Sequence, residues 1–182
     1  MKLAAMLCIA LAACHAAPTG PYTQPDVLVR NTSEAERLTK LASDVAPGNP
    51  KQAETLLRQA LTADLYHGPA HNNLGVLFLR DGKLYEASVE FEWARKLMPS
   101  NPDPRVNLAL TLERAGRIGE AIDTYRAALE VAPEDIGATQ GLASLTLRSG
   151  TANPALDGWL KTIALRGEDE RWREWARGRI NH

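Results

Sequence analysis

The sequence predicts an all-α fold, an α-solenoid of antiparallel helix pairs with a C-terminal capping helix. Three observations predict it. Stretches ending in arginine-x-glycine recur at a fixed spacing: LFLRDG at 77–82, TLERAG at 111–116 and LTLRSG at 145–150, each 34 residues after the last. Prolines fall in the same register at Pro99 and Pro133, where a helix must stop. Between these marks, leucines, small residues and aromatics recur in matching columns, which is the signature of a stacked repeat.

Each column has a packing reason. Leu74, Leu108 and Leu142 align, followed by the small residues Gly75, Ala109 and Ala143, which let the second helix of a pair approach the first. Ala87, Ala121 and Ala155 serve the same approach from the other side. Overfilling such a position costs about 1–3 kcal/mol. Gly82, Gly116 and Gly150 end the first helices, because glycine adopts the left-handed conformation without a steric penalty. Phe91, Tyr125 and Trp159 form an aromatic column that fills the gap between one pair and the next, and Ala94 and Ala128 follow it.

This set of columns resembles the tetratricopeptide repeat. Residues 68–101 and 102–135 match its pattern almost throughout. The copy at 136–169 departs from it, with Thr146 for a large apolar residue and Gly167 for the closing proline. An upstream copy at 34–67 keeps Leu41, Gly48, Ala53, Leu57 and Ala60. It has Lys40 for the leucine and Asp44 for a bulky apolar residue, and it starts on a Ser33-Glu34-Ala35-Glu36 capping box. End repeats expose a face to water, so atypical ends are expected. The tail LRGEDERWREWARGRINH reads as one more helix over about 168–180, started by Glu168 or Asp169. Its Trp172 and Trp175 suit a cap over the last repeat or, alternatively, a partner-binding stripe.

The first thirty residues carry a different message. MKLAAMLCIALAAC has a basic start, an uncharged apolar run from Leu3 to Ala13 and a cysteine at position 14, the layout of a secretory signal over 1–13. Leu11-Ala12-Ala13-Cys14 resembles the lipobox of bacterial lipoproteins, which implies cleavage before Cys14 and lipidation of its thiol; an ordinary cleaved signal is the alternative. Cys8 would leave with the signal, so no intramolecular disulfide is expected. His15 in place of aspartate after the anchor implies, by resemblance to lipoprotein sorting, the periplasmic side of the outer membrane. Residues 14–30 read as lipid anchor and tether, reaching about 20–25 Å as a flexible chain. The folded part, 31–182, follows.

Function classes can be excluded or favoured on the same page. With 21 basic against 22 acidic residues and a net charge of -1, the chain lacks the basic field that a nucleic acid requires. Apolar residues at 45% and charged ones at 24% suit an ordinary globular core. His67 and His71 have the spacing of a helical metal pair. The intervening Gly68-Pro69 and the missing glutamate argue instead for two surface histidines, and no metal or cofactor is expected. No phosphate loop or serine elbow occurs. Glu86, Glu90, Glu92, Glu120, Asp123 and Glu130 read as a solvated outer face. The chain is therefore not expected to be an enzyme.

What remains is binding. The resemblance implies that first helices line a concave groove that takes an extended peptide or a helix. The lining residues would be Asn72, Asn73, Val76 and Arg80, then Val106, Asn107, Leu110 and Arg114, then Gln140, Ser144 and Arg148. Asn73 and Asn107 stand where carboxylate-clamping members of the family use asparagine, but the clamp's other basic positions hold Asn72, Val76, Val106 and Leu110. The arginine row has two readings: a specificity element for acidic residues of a partner, or cations that favour the C-terminal ends of their own helices. The whole layout resembles the tetratricopeptide lipoproteins of pilus assembly (pilotin-like factors) and of envelope scaffolds. That implies a membrane-anchored adaptor for another envelope protein. The alternatives are a self-oligomerising structural protein and a non-catalytic accessory subunit of a peptidoglycan hydrolase.

Overall fold

A computed structural model describes residues 30–150 and 152–180. The expected signal, Cys14 and nearly all of the tether lie outside the described residues. Within them the chain forms helices only: α1 (Thr32–Val45), α2 (Pro50–Ala63), α3 (Gly68–Arg80), α4 (Leu84–Leu97), α5 (Asp103–Arg114), α6 (Ile118–Val131), α7 (Ile136–Ser149), α8 (Leu156–Arg166) and α9 (Glu170–Ile180). Neighbours in sequence pack as antiparallel pairs, α1 with α2, α3 with α4, α5 with α6 and α7 with α8, and α9 lies against α8. Contacts also join α1 to α3, α3 to α5 and α5 to α7, with nothing comparable between second helices. First helices are therefore crowded together on the inside of the curve, and second helices splay on the outside.

The glycine column ends the helices as its chemistry requires. Gly82 and Gly116 take φ of 74° and 76°. At each, two backbone bonds close the helix: Gly82 N to Leu79 O at 3.3 Å with Lys83 N to Phe78 O at 2.9 Å, and Gly116 N to Glu113 O at 3.0 Å with Arg117 N to Leu112 O at 2.9 Å. That pairing satisfies carbonyls a helix end otherwise leaves bare. The small column is equally literal. A Cβ on Gly75 would stand 2.6 Å from the fully buried Phe91 ring. Outside that column, in register with Asn73 and Asn107, a Cβ on Gly141 would stand 2.2 Å from Tyr125, so the second aromatic reaches across to the next pair. Burial pushes the Tyr125 phenol well above its ordinary range.

Both end copies depart from the 34-residue register by one residue. In the first copy four residues, 46–49, separate the helices, against three, 81–83, in the second. The extra residue rotates α1, so that Ala35, Leu38, Thr39 and Ala42 face the core while Lys40, Leu41 and Asp44 face water. Leu41 is thus not a core position, and Gly48 is not among the glycines with positive φ. The capping box is corrected too. Asn31 caps α1, its Oδ1 accepting from Glu34 N at 3.2 Å, while Ser33 donates to the same oxygen. In the third copy the turn after Gly150 runs long and α8 starts at Leu156. Ala155 is exposed, Trp159 is only half-buried, and Leu160 fills the place that Phe91 and Tyr125 occupy. Thr146 is buried in spite of its hydroxyl.

The last pair is closed by α9. Ala143, Leu160, Ile163, Ala164 and Ala176 form a separate small core, flanked by Trp172 and Trp175, whose rings meet edge to face at 5.1 Å. Asp169, not Glu168, starts the helix by accepting from Trp172 N at 3.0 Å. Gly167 is fixed by this docking, since a Cβ there would stand 2.7 Å from Ile163 O and 3.1 Å from Trp172 Cβ.

Candidate functional site

The concave face is built from α3, α5 and α7 in file. Their polar groups form a ladder running back toward the N-terminus. Asn73 Nδ2 donates to Ser43 Oγ at 3.0 Å, and Asn107 Nδ2 donates to Asn72 Oδ1 at 3.1 Å. The two asparagines at the clamp-like positions are thus held in place by the preceding first helix, and each keeps part of its amide toward solvent. Val76, Val106 and Leu110 are half-buried between these rungs, and Ser144 is half-buried on α7. Gln140 is corrected: it is 2% exposed, and its Nε2 has no hydrogen-bond partner among the described residues, so it is a buried amide and not a groove surface.

The arginine row does something neither sequence reading foresaw. Arg114 Nη1 donates to Leu79 O at 3.3 Å, the last turn of the preceding first helix. Arg148 pairs with Glu113, again one repeat back. Each thus reaches the last turn of the preceding first helix, Arg114 at a backbone carbonyl and Arg148 at a side-chain carboxylate, which ties one repeat to the next. Arg80, the first of the row, makes no polar contact among the described residues. All three are exposed.

Acids line the other end of the groove. Asn72, Val106, Asn107, Ile136 and Gly137 border a hollow of about 270 Å³ together with Asp103, Asp135 and Glu168. Asp135 caps α7 through Ala138 N at 2.7 Å, and Asp103 opens α5. First-helix N-termini favour carboxylates and their C-termini favour arginines, so the groove carries opposite charge along its two edges. The sequence signal for this was present in Asp103 and Asp135 at the starts of α5 and α7, but reading for arginines alone passed over it.

The histidines are corrected as well. His71 is not on the surface: it is 4% exposed. Its Nδ1 lies 2.6 Å from Glu90 and its Nε2 lies 2.9 Å from Leu65 O, while its ring stacks on Trp93 at 5.6 Å. Glu90 is therefore not a solvated outer acid. His67, at the start of α3, is half-buried, and burial holds its imidazole below the ordinary value. Helix α3 starts at Gly68, so His71 lies within it and His67 just before it. A further buried charge escaped the sequence reading altogether. Asp64, with no exposed side-chain surface, accepts from Arg30 at 2.9 and 3.1 Å, from Thr32 at 2.9 Å and from Tyr66 N at 3.0 Å. The Arg30 guanidinium holds its carboxyl below the usual range against the opposing effect of burial.

Among the described residues no cluster of three or more histidine, cysteine or acidic side chains is arranged to hold a metal. No helix among them is long and apolar enough to cross a membrane. What the site offers is a shaped, bipolar trough with aliphatic and amide walls, which suits recognition of an extended chain.

Known proteins agree with this architecture. Tetratricopeptide-repeat family models match residues 43–90 and 102–145, together half of the chain. A TPR repeat-containing thioredoxin, TTL4 of Arabidopsis thaliana, is 29% identical over 140 residues, 76% of this chain; the chain spans only 20% of that relative's length. Among solved structures, PilF of Pseudomonas aeruginosa superimposes with a TM-score of 0.68 at 21% identity, over 78% of this chain and 65% of that one. The first TPR of Spaghetti (RPAP3), solved with the HSP90 peptide SRMEEVD, gives 0.64 at 18% identity, over 69% of this chain and 100% of that one. At such identities the solved structures establish the fold alone; the repeat models make the chain a member of the tetratricopeptide-repeat family, whose repeats are in general non-catalytic modules for protein interaction.

Proposed function

We propose that the chain is a lipid-anchored adaptor of a bacterial envelope, which holds a segment of another envelope protein in its concave groove. The observation that carries the binding half is the bipolar trough. Arg80 stands without a polar partner among the described residues, and Asn72, Asn73, Val76, Val106, Asn107, Leu110, Ser144, Arg114 and Arg148 follow it along one continuous face. An extended segment with apolar anchors and acidic residues toward the arginine edge suits that face. A relative of the same fold holds the peptide SRMEEVD, which supports the mode of binding. The anchoring half rests on Leu11-Ala12-Ala13-Cys14. Its layout favours the periplasmic side of the outer membrane, and pilus, secretion or cell-wall assembly as the setting.

Two experiments test the two halves separately. Affinity capture from solubilised membranes compares wild type with an Arg80→Glu, Arg114→Glu, Arg148→Glu variant. A partner kept by wild type and lost by the still-helical variant is the expected result; a partner kept by both removes the arginine edge from recognition. Metabolic labelling with palmitate then asks whether Cys14 carries acyl chains. The label should disappear in Cys14→Ser, and label that persists there refutes the anchor.

A further inference from the structure

The outer face of the second helices carries one column that lies at the edge of the repeat packing and stays largely exposed. On α2 its residues are Lys51, Thr55 and Gln59, and on α6 they are Gly119, Asp123 and Ala127. On α8, one residue late, they are Gly158 and Thr162. On α4 the same column is Tyr85, Val89 and Trp93, exposed to 78%, 37% and 41%. These sit at i, i+4 and i+8, one stripe on the side of the helix opposite the buried Ala87, Phe91 and Ala94. Since the other repeats fill the column with polar or small residues, the fold does not require the stripe.

Trp93 is also held in place. Its ring lies against His71 at 5.6 Å and 12° between planes, and His71 is fixed from both nitrogens. The stripe is therefore a preorganised surface whose presentation costs little ordering on contact. Two charges frame it, Glu86 at its N-terminal end and Lys96 at its C-terminal end, and neither has an ion-pair or hydrogen-bond partner among the described residues. The nearby Glu92, by contrast, is engaged by Arg95.

We propose that this stripe docks a second copy of the chain, α4 against α4 in antiparallel orientation about a two-fold axis near Phe91. Glu86 and Lys96 lie about 15 Å apart along the helix. Antiparallel pairing with the axis midway between them sets Lys96 of one copy against Glu86 of the other, twice, and Trp93 of each against Val89 of the other. Parallel pairing would oppose like charges, so the frame selects the orientation. Anionic lipid is disfavoured as an alternative occupant by Glu86 and Glu92 on the borders of the stripe. A single helix pair lies at the small end of specific interfaces, so the dimer is weak and depends on concentration. The inference is independent of the groove, which lies on the first helices.

Sedimentation equilibrium of the full chain tests it, in the Cys14→Ser form under reducing conditions so that neither acyl chains nor a disulfide joins two copies. The mass should rise toward twice the monomer along a concentration series. Glu86→Lys and Lys96→Glu should each weaken association about tenfold, since each replaces two attractive contacts by repulsive ones. The combined exchange should restore it, and Val89→Arg should abolish it. These positions are exposed, and far-UV circular dichroism checks that each variant stays helical. The groove variant Arg80→Glu, Arg114→Glu, Arg148→Glu should associate like wild type. A monomer at every concentration, single reversals without effect, a double exchange no better than the singles, or loss of the dimer in the groove variant would overturn the proposal.

Discussion

Replacing Asp64 by alanine removes four hydrogen bonds at once, two from Arg30 and one each from Thr32 and Tyr66 N. The cost is not the sum of the four. Arg30 is 53% exposed and Thr32 is exposed, so water recovers most of what they lose. What is not recovered is the junction itself, where a fully buried carboxylate ties the chain before α1 to the turn after α2. A hydrogen bond to a charged group contributes about 1.5–3 kcal/mol net, and because these bonds are lost together about 2–4 kcal/mol is expected for the substitution. At about 2–4 °C per kcal/mol the melting temperature should fall by about 4–16 °C. Because solenoid ends open separately from the middle, amide exchange should quicken in α1 and α2 before α5 or α6. The pH dependence has a definite sign. Asp64 has a depressed carboxyl in the folded chain, so its contribution is complete above the unfolded carboxylate value of about 3.9. It is lost as pH falls through the lower folded value. Asp64→Asn should flatten that acid limb of the stability curve. Urea denaturation followed at 222 nm reads both effects, and a variant within about 0.5 kcal/mol of wild type at neutral pH would refute the reasoning.

Other outcomes follow from the same geometry. Gly141→Ala forces a Cβ into the Tyr125 ring and should cost about 1–3 kcal/mol. Gly119→Ala, with nothing within 4 Å, should be neutral or stabilise by up to about 1 kcal/mol in the same denaturation assay. Gln140→Met removes the buried amide whose Nε2 lacks a partner, and should stabilise by about 1 kcal/mol or leave stability unchanged. Arg148→Gln breaks an exposed pair with Glu113 and should cost less than about 1 kcal/mol, with the effect shrinking in high salt. The Tyr125 phenol is raised by burial, so stability should decline as pH rises above about 10, and phenolate absorbance from this residue should appear only as the chain unfolds.

Much of the stack was legible because its rules are short-range. Gly82 and Gly116 terminate helices by backbone conformation, and Gly75 must be small because Phe91 lies on it. Both are visible as columns. The end copies misled for the same reason in reverse. One extra residue in the turn at 46–49 rotates α1 and exposes Leu41, and a long turn before Leu156 moves Trp159 off the aromatic position in favour of Leu160. A fixed register cannot report a shift within a turn. The polar interior was least legible. His71 and Glu90 lie 19 residues apart and Arg30 and Asp64 lie 34 apart, and only the packed fold brings each pair together. Of the groove, the sequence supplied the face and its arginines. It could not say that Arg114 and Arg148 each reach back one repeat, because that depends on how far successive first helices slide past each other.

Site-specific photocrosslinking in living cells tests the central claim most directly. A benzophenone side chain is placed at Leu110 on the groove wall, and in a second strain at Thr55 on the outer face of α2. The account predicts an adduct between Leu110 and one envelope protein, reduced when Arg80, Arg114 and Arg148 are all changed to glutamate, with no such adduct from Thr55. An adduct with that protein from Thr55 and none from Leu110 would place recognition outside the groove and contradict the account.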